Sequence, residues 1–109
     1  DRYGRMPESV SNLLLVARIR VLAQQLRLSR LSAKTGSLRM EMGPQAFLTP
    51  AQIEYLFRRT DGQLRLQPNK PGVFIWQKAN SNPLTLAREW VRLVGELLEE
   101  MPKEEEVRG

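Results

Sequence analysis

The run Arg30-Leu31-Ser32-Ala33-Lys34-Thr35-Gly36-Ser37-Leu38-Arg39-Met40-Glu41-Met42 decides the fold class. Leu31 and Ala33 alternate with Arg30, Ser32 and Lys34. Beyond Thr35-Gly36, Leu38, Met40 and Met42 alternate with Arg39 and Glu41. Successive side chains of a strand point to opposite faces, so each half offers one apolar and one polar side, and the Thr-Gly pair supplies the turn. The pattern predicts an antiparallel hairpin, ended by Gly43-Pro44. Further on, Leu64 and Leu66 alternate with Arg65 and Gln67, and Pro68-Asn69-Lys70-Pro71-Gly72 returns the chain into Val73-Phe74-Ile75-Trp76. This predicts a second hairpin, and its last strand, apolar at every position, is expected to be covered on two sides.

Helical patterns surround these hairpins. Pro7 and Glu8 suit a helix's first turn, and Val10, Leu13, Leu14, Ala17 and Val21 follow at helical spacing, which predicts a helix over 7–26. Leu15, Val16, Ile19, Leu22, Ala23 and Leu26 fill a second, adjacent stripe. A helix apolar on more than one face is expected to be a central core helix. The alternative is a helix wedged between this domain and something else. Thr49-Pro50 offers an N-cap and a first-turn proline to a short helix in which Ile53, Leu56 and Phe57 share a face, closed by Asp61-Gly62. Asn82-Pro83 starts a last helix with Ala87, Trp90, Val91, Val94, Leu98 and Met101 on one stripe, stopped by Pro102. The order α-β-β-α-β-β-α, with antiparallel hairpins packed by helices, is an α+β single domain. Residues 1–6 read as a linker entering the domain, 7–101 as the domain, and 102–109 as a charged tail.

Length agrees with one domain: 109 residues at 41% hydrophobic content support one modest core. The longest apolar run, Leu13 to Ala17, is stopped by Arg18, so no segment is long enough to span a membrane. Asp1-Arg2-Tyr3-Gly4-Arg5 opens with neither an initiator Met nor a hydrophobic signal region, and reads as a piece of a longer chain. Charge is uneven: residues 1–78 carry 13 Lys/Arg against 5 Asp/Glu, and residues 79–109 carry 4 against 7. A basic body of this kind attracts nucleic acid or an acidic protein surface, or is simply a solvated face.

The chain has no Cys and no His, which removes disulfides, the usual zinc sets and the common nucleophile and base pairs. No glycine precedes a lysine, so the phosphate cradle of an ATPase is missing, and the glycine spacing does not make a dinucleotide loop. Glu99, Glu100 and Glu104 to Glu106 sit at a helix end and tail, where nothing would separate their pKa values, and are expected to solubilise rather than catalyse. No enzyme activity, metal or cofactor is expected of this chain. Arg18, Arg27, Arg30, Arg39, Arg58, Arg59 and Arg65 could meet phosphates, and Tyr55, Phe74 and Trp76 could stack bases, which keeps a basic nucleic-acid-binding module as the alternative. Phe74, Trp76 and Trp90, however, lie on apolar patterns and are expected in the core.

Asp1-Arg2-Tyr3-Gly4-Arg5-Met6-Pro7, followed by Val10, Asn12-Leu13-Leu14 and Ala17-Arg18, resembles the start of the C-terminal domain of the bacterial transcription-repair coupling factors (Mfd). Glu89-Trp90-Val91-Arg92, then Leu97 and Glu99-Glu100, is similar to the last helix of that domain, so the two matches frame nearly the whole chain. The resemblance implies a cytoplasmic parent protein that translocates on DNA with ATP and magnesium, displaces stalled RNA polymerase and recruits UvrA for nucleotide excision repair. It implies for this domain a regulatory role: packing on a UvrB-like N-terminal module, masking the UvrA-binding surface and restraining the motor. The segment entering the domain would lie near that contact, which makes Asp1 and Arg2 the interdomain interface candidates. As opposite charges they suit ion pairs across a clasp that must open.

Overall fold

The computed structural model describes residues 8–46 and 48–101, with side-chain environments from Val10 onward. The elements run α1 (Glu8–Leu26), β1 (Leu28–Lys34), β2 (Ser37–Met42), α2 (Pro50–Arg59), β3 (Leu64–Leu66), β4 (Val73–Gln77) and α3 (Pro83–Glu100). The α-β-β-α-β-β-α order and the α+β class are those read from the alternation.

The strands form one antiparallel sheet in the order β1-β2-β4-β3. Both hairpins form, and β2 joins them by pairing with β4, with Leu38 opposite Trp76 and Met40 opposite Phe74. The Thr35-Gly36 turn uses positive φ at Gly36 (+87°), where a glycine costs nothing sterically. This turn is tied to the loop before α3, Gly36 N–H donating to Ser81 O at 2.8 Å and Lys78 N–H to Gly36 O at 2.9 Å. β1 begins before the visible alternation, because the register shifts between Leu28 and Arg30. That bulge lets Leu28, three residues from Leu31, join it against the core, and it bends an edge strand away from further pairing.

All three helices pack on one face of the sheet, α1 against α3 and β1, α3 against β1 and β2, and α2 against α3 and β3. Leu38, Met40, Leu64, Phe74 and Trp76 supply the sheet side of the core, and Leu26, Leu56, Leu86, Trp90, Val94 and Leu97 the helix side. The expectation that β4 is covered on two sides is corrected here. Phe74 and Trp76 face the helices, but Ile75 lies in a register row with Ser32, Arg39 and Arg65 on the opposite face. No described helix packs on that face, where Val73 is buried and Ile75 half-buried, so an uninterrupted apolar run overstated the coverage.

α2 is capped as its sequence indicates. Thr49 Oγ1 accepts from Gln52 N–H at 3.1 Å and Gln52 Oε1 accepts from Thr49 N–H at 2.9 Å, a reciprocal capping box with Pro50 in the first turn. Gln52, itself buried, also donates from Nε2 to Met101 O at 2.9 Å, tying the end of α3 to the start of α2. Asn82 Oδ1 caps α3 by accepting from Thr85 N–H at 2.8 Å. The buried stripe of α3 is rotated from the expected one. Trp90, Val91 and Val94 are buried as read, but Leu86, Leu93 and Leu97 join them while Ala87, Leu98 and Met101 are only half-buried. The sheet reaches α3 from that side, which spacing alone does not specify.

Candidate interaction surface

α1 carries two apolar stripes with the same rhythm. Leu15, Ile19, Leu22 and Leu26, at intervals of four, three and four, pack on the core, and Leu26 is fully buried. Val10, Leu14, Ala17 and Val21 repeat the same intervals five residues earlier, which turns them about 140° around the helix. They are exposed, and so are Leu13 and Val16 beside them. Leu13 is 69% exposed and Val21 52%. Of the six large apolar side chains exposed among the described residues, five are on α1. Among the described residues α1 is therefore not the central core helix expected from its width: it is an outer helix with one stripe that no described residue covers, the geometry of the wedged alternative. Arg18 and Arg20 border the exposed stripe on its two sides, and from Val10 to Leu26 the helix has no Asp or Glu.

A second surface is the uncovered sheet face. Its register rows are Arg30, Glu41 and Val73; Ser32, Arg39, Ile75 and Arg65; and Lys34, Ser37 and Gln77. Arg39 Nε donates to Glu41 Oε2 at 2.8 Å across one side of it. Arg30, Lys34 and Arg65 add positive charge, but no aromatic side chain lies in these rows to stack a base.

The third is a polar groove of about 380 Å³ lined by Arg59, Thr60, Asp61, Gln63, Trp76, Lys78, Glu89, Arg92 and Leu93. Its cations are engaged. Lys78 pairs with Glu89 and lies 5.9 Å from the Trp76 ring centroid. Arg59 pairs with Glu96, and that hydrogen bond holds the guanidinium's pKa above its ordinary value, against a weaker opposing effect of desolvation. Pairing of this kind uses the positive charge inside the domain, and Asp61 in the same lining further offsets what Arg92 adds.

Among the described residues no three His, Cys, Asp or Glu side chains gather to hold a metal. No described helix is long and apolar enough to cross a membrane. Asp1 and Arg2, the interface candidates, lie outside the described residues, as do Glu104 to Glu106. Glu99 and Glu100 are exposed at the end of α3, as expected of solubilising carboxylates. Tyr55, Phe74 and Trp76 are buried at 6%, 3% and 5% exposure, so they build the core and cannot stack bases. The seven arginines do not form one patch: Arg30, Arg39 and Arg65 share the sheet face, Arg18 is on α1, Arg27 follows it, and Arg58 and Arg59 end α2.

The fold and its surfaces define a small two-layer α+β domain whose main surface feature is an apolar helix face bordered by arginines. Residues 1–53, just under half of the chain, match the family model described as the TRCF domain, so the stretch that includes α1 through β2 is similar to that family. The match ends at Ile53, the fourth residue of α2. No curated protein matches the chain.

Proposed function

We propose that this chain is the non-catalytic regulatory domain of a bacterial transcription-repair coupling factor. It packs on the UvrB-like N-terminal module of the same protein, masks the surface that binds UvrA and restrains the ATP-dependent DNA translocase until RNA polymerase is engaged. The parent protein then works in the cytoplasm, with ATP and magnesium held by its motor and not by this chain. The observation that supports the reading is the placement of the exposed apolar stripe of α1 inside the segment that matches the TRCF domain. A surface of this composition suits reversible docking on protein. Tethering within one chain raises the effective concentration to roughly millimolar, so a weak contact stays mostly closed.

The test is a titration of this chain against the separately expressed UvrB-like module, with duplex and single-stranded DNA in parallel at low and moderate salt. Saturable binding to the module without DNA binding supports the proposal. Arg30, Arg39 and Arg65, in two neighbouring rows of the open sheet face, favour a second reading, a nucleic-acid-binding module. It requires DNA affinity falling with salt at a slope of about −0.9 per phosphate neutralised, and no binding to the module.

A further inference from the structure

We propose that α1 is a latch: it opens as a unit about the joint at Leu26 and Arg27 while the sheet, α2 and α3 stay folded. This concerns how α1 is held to its own domain and does not rest on the docking proposed above.

The three helices are fastened in different ways. α2 and α3 are tied to each other and to the sheet side by directional contacts. Gln52 Nε2 donates to Met101 O, Arg59 pairs with Glu96, Lys78 just after β4 pairs with Glu89, and Trp90 Nε1 donates to Met40 Sδ in β2. Among the described residues no side-chain hydrogen bond or ion pair joins α1 to another element. Its apolar grip is graded as well. Leu26 is fully buried, whereas Leu15, Ile19, Leu22 and Ala23 reach only half-burial against α3 and β1.

One group opposes the grip. Asn12 Oδ1 is buried with no hydrogen-bond partner among the described residues. A buried acceptor that water would otherwise satisfy is unfavourable, so release of α1 hydrates Asn12 and offsets part of the lost packing.

The joint isolates the helix from the sheet. Arg27 has φ of +61°, the left-handed conformation with which helices commonly end. Its carbonyl accepts from Gly43 N–H at 2.8 Å, and a Cβ at Gly43 would lie 2.6 Å from that oxygen, so the two backbones are in close contact there. The chain is thus clamped to the end of β2 immediately after α1, and movement before the clamp does not pull on the pairing of β1 with β2. Regions with few buried apolar contacts and exposed backbone form the first opening units of a domain. A detached helix of 19 residues is marginal in water, so release also loosens its backbone hydrogen bonds. The domain therefore has two states, α1 closed on α3 and β1 or α1 free, and the second keeps Trp90 and the sheet in place.

Native-state hydrogen exchange of the whole chain across low denaturant concentrations tests this. Amides of residues 15–24 should exchange at least about tenfold faster than the slowest of α3, β2 and β4, and with a weaker denaturant dependence, because freeing one helix exposes less surface than unfolding the domain. Leu64→Ala, in β3 away from α1, should speed exchange in β4 and α3 but leave α1 within about twofold of wild type, since α1 opens with β3 intact. Gln52→Ala takes its place should that variant not fold, with the same expectation. Within α1, Asn12→Leu should slow its exchange at least about threefold by removing the orphaned acceptor, and Ile19→Ala should speed it at least about threefold by weakening the grip. Residues 15–24 sharing the rate and denaturant dependence of α3 in the wild type would overturn the latch. So would a core substitution that speeds α1 as much as β4, which is the signature of a helix that opens only when the whole domain unfolds. Unchanged α1 exchange in both Asn12→Leu and Ile19→Ala would overturn it too, since the grip would then lie elsewhere.

Discussion

Trp90→Ala tests whether α3 anchors the fold as the structure has it. The ring is 2% exposed, packed among core side chains over the sheet, with Nε1 donating to Met40 Sδ at 3.4 Å. Burying an aromatic side chain removes roughly 150–250 Å² from water, worth about 4–6 kcal/mol at ~25 cal/mol per Å². Alanine retains part of that and the pocket collapses incompletely, which places the expected loss at about 3–5 kcal/mol. The N–H···S contact is weak and adds little. A domain of this size changes its melting temperature by about 4–8 °C per kcal/mol, so the midpoint should fall by at least about 12 °C. Urea unfolding followed by circular dichroism gives the free energy, and Trp76, buried in β4, remains as a fluorescent reporter. A loss under about 1.5 kcal/mol with an unchanged denaturant slope would refute the burial of this ring. Should the alanine variant not fold, Trp90→Phe should lose a smaller amount by the same assay.

Other substitutions probe separate joints. Gly43→Ala should destabilise by about 1–3 kcal/mol, because its Cβ would lie 2.6 Å from Arg27 O, the oxygen that Gly43 N–H itself binds at 2.8 Å; a variant as stable as wild type refutes the close approach. Gln52→Ala should cost about 1–2 kcal/mol in a thermal or urea melt, since it opens the capping box with Thr49 and frees Met101 O; a neutral result removes the tie between α2 and α3. Reversing Asp1 and Arg2 in the full-length protein should raise basal ATPase activity and UvrA binding. No change in either takes these residues out of the interface.

The fold was largely legible because alternation, caps and prolines act locally. Thr49, Pro50, Asn82 and Pro83 specify the starts of α2 and α3 through bonds within one helical turn, and Thr35-Gly36 specifies the first hairpin. What spacing left open depends on which element arrives from where. The apolar run from Val73 to Trp76 gives no sign that only Phe74 and Trp76 meet helices, since the pairing of β2 with β4 is a long-range choice. On α1 the sequence displayed both stripes plainly, but Leu15, Ile19, Leu22 and Leu26 are chemically the same kind of residue as Val10, Leu14 and Val21. The useful signal was the surplus itself: two complete stripes on one helix of a small domain are more than its core can bury. The arginines misled in the opposite way: Arg59 is paired with Glu96, 37 residues on, and Arg39 with Glu41, two residues along the same strand.

The account stands on this domain acting as a docked restraint. Its most direct test compares the full-length coupling factor with a version lacking residues 8–101, measuring basal ATPase activity and UvrA binding side by side. The account predicts that both rise when the domain is removed, and that adding the isolated chain back at high concentration lowers them again. Equal ATPase activity and equal UvrA binding with and without the domain would contradict it.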